Sequence, residues 1–191
     1  MIPTEQAGPY FHGMLAPADC ANCPLRYCTK VFPDGPVPAL MAIVAENPGR
    51  GEEREGRGLI GPTGHMIWQM CASFGLDRSQ VWVSNASLCR SRDIMLTNGF
   101  KLDEAYIKAL AAQACRGRLV NELRIVRPRV VVAIGNYALW ALSDIPGAKV
   151  FDYRGSRLPL NLDALADSLH AGTARAPIRQ LEGKVAKAAR K

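Results

Sequence analysis

The sequence predicts an α/β domain with a mostly parallel sheet, because short apolar runs alternate with segments of helical spacing. The apolar runs lie at residues 40–45, 81–84 and 130–135. Strands that alternate with helices in this way are typical of a parallel sheet with helices on its faces. In such sheets, ligands bind beyond the carboxyl ends of the strands. With 191 residues, we expect one domain over residues 1–191.

The remaining elements follow from apolar spacing and from glycine and proline positions. Residues 1–38 are rich in Pro, Gly and Cys and are expected to be irregular, and residues 49–64 form a glycine-rich loop. The run at 130–135 is apolar throughout, which predicts a strand covered on both faces. A hairpin or strand pair is expected over 151–160. The predicted helices cover residues 65–74, 102–126, 136–143, 163–170 and 177–190.

The net charge of +7 favours a polyanionic partner. One group of basic residues lies over 116–129 and comprises Arg116, Arg118, Arg124, Arg127 and Arg129. A second lies over 175–191, and its alternative interpretation is a solvated helix. No apolar run approaches the ~20 residues that span a membrane. No basic segment followed by an apolar stretch is visible over residues 1–9, so we expect a cytoplasmic monomer without a membrane partner.

Four of the six cysteines lie where a metal centre could use them. Cys20 and Cys23 are two residues apart, so both thiolates can bind one centre. Cys89 and Cys115 lie in polar sequence beside arginines, which stabilise thiolates or an anionic cluster. Four such ligands could bind zinc or an iron–sulfur cluster, and spacing does not separate the two. Cys28 could replace one of the four, whereas the cysteine of "IWQMCASF" fits a small buried hydrophobe.

Several motifs occur in a fixed order: "CANCPLR", "MAIVAENPGRGEEREGRGLIGPTG", "VWVSNASLCR", Cys115 and "RPRVVVAIGNYALWAL". Over roughly residues 20–155 this order resembles the family 4 uracil-DNA glycosylases, the iron–sulfur group of the uracil-DNA glycosylase superfamily. The resemblance implies a four-stranded parallel sheet and a [4Fe-4S] cluster, with zinc as the alternative. The implied ligands are Cys20, Cys23, Cys89 and Cys115. An insertion around residues 94–110 would explain the long gap before Cys115.

The resemblance also implies a reaction, the hydrolysis of the N-glycosidic bond of uracil that has been flipped out of DNA. Glu46 aligns with the family's acid and would orient water and stabilise charge on the sugar. Asn85 aligns with the pocket asparagine that reads the base edge. From the residues alone, Glu46 could instead bond loop amides and Asn85 could cap a turn.

Further positions would contact the base or the DNA backbone. Asn47 and Leu59 are expected to line the base pocket. The positions expected to contact DNA or its phosphates are Gly49, Gly61, Gly64 and Arg154.

The sequence departs from the family's pattern at several positions. Ala45 replaces a glycine, Asn47 an alanine, and Leu59 the phenylalanine that stacks on the base. The HPS motif is absent, and one register puts residues 162–164, Leu-Asp-Ala, in its place, whereas another uses His170. Losing one donor to the departing base can cost about 2.7–4 kcal/mol of barrier.

The sequence is therefore compatible with three functions. The first is a DNA glycosylase that acts on uracil or another altered base. The second is a family member that binds DNA without cleaving it, which the missing motif suggests. The third is a relative that acts on a modified base, which Asn47 and Leu59 suggest.

Overall fold

The computed structural model describes residues 18–92, 94–95, 101–145 and 147–170. The strands are β1 (Met41–Ala45), β2 (Val81–Asn85), β3 (Ile94–Met95), β4 (Lys101–Leu102) and β5 (Val130–Ala133). The helices are α1 (Arg50–Glu55), α2 (Pro62–Ser73), α3 (Glu104–Val126), α4 (Asn136–Ser143), α5 (Val150–Tyr153) and α6 (Leu162–His170), with short 3-10 helices at Cys20–Asn22 and Arg78–Gln80.

The predicted parallel sheet is confirmed, with three strands rather than four in the described part of the chain. β1 is the central strand and pairs in parallel with β2 on one side and β5 on the other. In these ranges β5 is an edge strand, and Val130 is 52% exposed. Val131 and Ala133 nevertheless pack against the apolar cluster on one face of the sheet, and Val132 and Ile134 pack against the cluster on the other face. The prediction that this apolar run is covered on both faces is therefore confirmed. β3 and β4 form a separate antiparallel pair within the expected insertion.

Side chains that alternate along the strands fill an apolar cluster on each face of the sheet. On one face, Ala42, Val44 and Trp82 pack with side chains of α3 and α4. On the other face, Ile43 and Val83 pack with residues of α2 and with Leu59 of the glycine loop. The glycine loop is therefore anchored to the sheet by apolar contacts.

The expected loop over 49–64 contains a helix, so that prediction is wrong in part. The Glu52 side chain accepts a hydrogen bond from the Gly49 N–H at 2.7 Å and caps α1, and Gly56 ends it with φ 67°. α2 begins at Pro62, three residues before the predicted start, because proline suits a first helical turn. The predictions for α3, α4 and α6 are confirmed to within two residues at each end. The prediction for 177–190 lies outside the described residues.

The predicted hairpin over 151–160 is wrong. Residues 150–153 form α5 instead, and no strand pairing follows it before α6 within the described ranges. Gly155 turns the chain with φ 76°, and Pro159 has no N–H to donate to a ladder. Asn161 then caps α6 by accepting from the Asp163 and Ala164 N–H groups at 3.1 and 2.9 Å.

Two of the five arginines predicted to form a basic surface are buried. Arg116 and Arg118 on α3 are 0% and 1% exposed. They face the core because α3 packs against both the sheet and α4, so these two cannot attract a polyanion. The group over 175–191 lies outside the described residues. Within the ranges described, no helix has the length and apolar character needed to cross a membrane.

The packing of the glycine loop gives a stability prediction. A Cβ at Gly64 would collide with the Leu59 carbonyl group, whereas a Cβ at Gly51, inside α1, has nothing within 4 Å. We expect Gly64→Ala to lower the free energy of unfolding by about 1–3 kcal/mol. Gly51→Ala should raise it by about 0.5–1 kcal/mol. Urea denaturation measures both, and equal stability of the two variants would contradict the described packing.

Candidate active site

Glu46 follows β1 directly, and its carboxylate is held on both oxygens. The Tyr137 N–H, in the first turn of α4, donates to Oε1 at 3.3 Å. The Lys108 Nζ lies 3.6 Å from Oε2 and 3.4 Å from a Glu104 oxygen. An ammonium group and a helix N-terminus both attract a carboxylate. The site therefore fixes the position of a negative charge at the end of the central strand.

Gly135 makes room for Glu46. A Cβ at this position would collide with the Glu46 side chain, and its φ of 96° disfavours other residues. The glycine that ends the motif "VVVAIG" is therefore required by a side chain on the neighbouring strand.

Asn85 ends β2 beside Glu46, because Asn85 pairs with Ala45 in the parallel register. It is 4% exposed. Among the described residues, no hydrogen bond to its carboxamide is formed, although its main-chain carbonyl is bonded. The backbone of Gly58 approaches it, and a Cβ there would lie 3.7 Å from Nδ2. Its donor and acceptor positions are therefore not taken by other described side chains, and the carboxamide is available to a ligand.

Main-chain hydrogen bonds join the chain after β2 to the end of β1. The Ala86 N–H donates to the Ala45 carbonyl at 2.7 Å, and the Ser87 N–H donates to the Glu46 carbonyl at 3.0 Å. Backbone bonds thus fix the distance between the acid and the amide.

The glycine loop closes one side of the site. Leu59 has φ 53°, is 5% exposed and packs with Ile43, Val81 and Val83. The structure thus places its side chain in the apolar cluster beneath the loop. Asn47 is half-buried, and its Nδ2 donates to the Pro48 carbonyl at 3.0 Å.

Arg78 binds the main chain of the glycine loop. This residue was not predicted from the sequence. Its guanidinium donates to the carbonyls of Gly58 and Leu59 at 2.8 and 3.3 Å and to Asp34 at 3.2 Å. Although burial opposes ionisation, hydrogen bonds from Arg57 and Arg78 keep the pKa of Asp34 below its usual value. Arg78 thus holds the Gly58 backbone against Asn85.

The expected DNA contacts occupy different environments. Gly49 is the exposed N-cap of α1, and Gly61 is the half-buried N-cap of α2. Gly64 is buried under the Leu59 carbonyl, so close packing explains why a glycine is needed at this position. Arg154 is exposed, and its guanidinium lies 5.2 Å from the centre of the Phe151 ring.

All six cysteines are free thiols. Main-chain contacts bring three segments with cysteines together: the Asp19 N–H donates to the Ala114 carbonyl at 2.8 Å, and Lys30 forms a β-bridge with Cys89. Burial, together with the neighbouring thiols, raises the pKa of Cys23 to about 11 and that of Cys89 to about 12. Yet in the ranges that the structure covers, no three His, Cys, Asp or Glu side chains are arranged to hold a metal ion.

Cys28 lies with this group. The Arg92 guanidinium is 3.6 Å from its sulfur, and its carbonyl lies 3.8 Å from the Cys89 Sγ. Cys71 instead sits on α2, partly buried against the apolar cluster of Ile43 and Val83.

Sequence reasoning also missed Lys108, although this residue lies in the helix predicted over 102–126. The spacing of Glu104 and Lys108 by four residues indicates a helical ion pair and could have identified it. Gly135 was recognised as a strand end, but its contact with Glu46 depends on strand order, which the sequence does not give.

These features define a class first. The chain is an α/β protein with a parallel sheet, and its candidate ligand site lies beyond the carboxyl ends of neighbouring strands, where an acid and a buried amide meet. The sequence profile of the Uracil DNA glycosylase superfamily matches residues 32–179, which is more than half of the chain. The chain therefore belongs to the uracil DNA glycosylase superfamily.

Individual relatives agree with this family. A Type-4 uracil-DNA glycosylase of Pyrobaculum aerophilum is 26% identical over 69% of this chain and 63% of its own length. That of Archaeoglobus fulgidus is 32% identical over 62% of this chain and 56% of its own length. That of Sulfurisphaera tokodaii is 30% identical over 62% of this chain and 51% of its own length. The chain thus spans between half and two thirds of the length of these relatives.

Proposed function

We propose that this protein is a DNA glycosylase that hydrolyses the N-glycosidic bond of uracil, or of a related altered base, flipped out of DNA. The observation that carries this proposal is the pairing of Glu46 with Asn85 at adjacent strand ends. Family membership and the names of the relatives support the reaction class.

Base recognition would fall to Asn85. A carboxamide accepts hydrogen bonds through oxygen and donates them through nitrogen. Uracil offers a donor at N3 and an acceptor at O4, so one carboxamide can satisfy both. Cytosine offers the opposite pattern at this edge and would leave both bonds unmade. Asn47 would complete the pocket from the glycine loop, and Leu59, whose side chain lies in the apolar cluster beneath that loop, would hold the loop in place.

Hydrolysis would use Glu46. Water adds to C1′ of the sugar while the C1′–N1 bond breaks and its electron pair leaves with the base. The carboxylate of Glu46 orients this water, accepts its proton and stabilises the positive charge that develops on the sugar. Lys108 and the α4 N-terminus keep Glu46 in place for this role.

The HPS motif, whose histidine would donate a hydrogen bond to the departing base, is absent from the sequence. In one register Leu162 to Ala164 take the place of this motif, and they form the first turn of α6, which Asn161 caps. The other register uses His170, the last residue of α6. A missing donor of this kind slows the reaction, at a cost of about 2.7–4 kcal/mol. The same observation favours a second candidate function, binding of DNA without cleavage. Activity on a different modified base is a third.

Cys20, Cys23, Cys89 and Cys115 would hold a [4Fe-4S] cluster, with zinc as the alternative. The convergence of three cysteine-bearing segments and the soft thiol donors support this proposal. The bound cluster would supply a structural cross-link between the N-terminal segment, the chain after β2 and α3. The proposed partner is DNA, which Gly49, Gly61 and Arg154 would contact, and the protein would act as a monomer.

The proposed roles predict the effect of two variants. Glu46→Ala should lower kcat/KM for uracil release by at least about 100-fold. Asn85→Ala should lower it as well, because the base is no longer oriented. Release of uracil from a labelled oligonucleotide measures both, with exposed Glu55→Ala on α1 as the control. Wild-type activity in both site variants would show that the active site lies elsewhere.

The cofactor proposal predicts colour and iron content. Anaerobically purified protein should be brown, absorb broadly near ~400 nm and contain iron. Cys115→Ser should lose the colour, whereas Cys71→Ser should keep it. A colourless protein with stoichiometric zinc would contradict the cluster in favour of a zinc site.

A further inference from the structure

A charged pair is buried directly behind the site. Arg118 and Glu122, one turn apart on α3, are each 1% exposed, and an Arg118 Nη1 to Glu122 Oε1 distance of 2.5 Å joins them. Ser84 of β2 lies between them: its hydroxyl donates to Glu122 at 3.0 Å and accepts from Arg118 at 3.2 Å. Both charges are therefore compensated inside the core.

The same guanidinium reaches the end of β2. Its Nη2 donates to the main-chain carbonyl of Asn85 at 2.6 Å. This short, charge-assisted bond fixes the peptide that carries the Asn85 side chain. The next two amides are already fixed by the carbonyls of Ala45 and Glu46. The Asn85 peptide is thus held from the helix side by Arg118 and from the strand side by β1.

The geometry of Arg118 suits this role, because its guanidinium donates to Glu122, to Ser84 and to the Asn85 carbonyl together. A buried ion pair adds little to stability compared with apolar residues of the same size, and its documented use is to specify one arrangement. Here the arrangement is that of the strand end that carries Asn85.

We propose that Arg118 is a positioning residue for base recognition, which fixes the Asn85 carboxamide by holding its main-chain carbonyl. This inference rests on the proposed function. It adds a residue that is buried behind the site and that acts on the base through Asn85.

The test compares Arg118→Lys with Arg116→Lys. Both arginines are buried on α3, but Arg116 binds the Ala141 carbonyl and Asp144, away from Asn85. Lysine at 118 keeps a positive charge opposite Glu122, yet one ammonium cannot replace the guanidinium fork that reaches Glu122, Ser84 and Asn85 together. Uracil release gives kcat and KM, and hydrogen exchange reports on the amides of residues 85–87.

We expect Arg118→Lys to lower kcat by roughly 10- to 100-fold, since small displacements of a bound base have effects of this size. KM should stay close to wild type, because DNA contacts are unchanged. Exchange at residues 85–87 should rise at least tenfold. Arg116→Lys should change neither kcat nor the exchange of residues 85–87. The thermal stability of this variant shows how far a lysine at a buried position of α3 destabilises the protein in general.

Wild-type kcat and wild-type exchange at residues 85–87 in Arg118→Lys would overturn the proposal. If Arg118→Lys does not fold, the double variant Arg118→Met with Glu122→Met removes both charges, and the same two readouts decide. If the wild-type protein releases no base, the proposed function fails. The exchange measurement still decides whether Arg118 fixes the Asn85 peptide.

Discussion

The parallel register of β1 and β2 is the constraint on which the site depends. Ala45 lies opposite Asn85, so Glu46 emerges beside the buried amide. The bonds from Ala86 and Ser87 to the end of β1 then remove the remaining freedom. A slip of one residue would turn the Asn85 side chain to the other face of the sheet. The acid and the amide can act together only because the sheet sets this register.

The core behind the site contains buried charged residues, and one of them contacts the end of β2. Two arginines and a glutamate on α3 are buried, which apolar residues could have avoided at no loss of stability. Each of the three charges is met by partners, and one arginine is bonded to the strand end itself. At the end of β1, Lys108 and the α4 N-terminus contact the Glu46 carboxylate. The site is thus supported from behind and from the side, as preorganised catalytic groups require.

Local patterns predicted the α/β class, the long helix α3 and the placement of Glu46 and Asn85 at strand ends, because these follow from periodicity and turn residues. The order of the strands in the sheet could not be predicted from these patterns. β1 is the central strand, although the sequence of β5 is the most apolar. The burial of Arg116 and Arg118 was missed because a basic pattern on a helix does not say which face packs. α1 was missed because its cap is a single glutamate side chain, Glu52, among glycines.

The central claim is that Asn85 reads the edge of the base. Calorimetric titration of the protein with free uracil and with free cytosine tests it without requiring catalysis. The account predicts at least about tenfold tighter binding of uracil, since mismatched polar groups in a buried site are left unpaired. It also predicts that Asn85→Ala loses this preference. Equal affinities for the two bases, or a preference that survives in Asn85→Ala, would contradict the account.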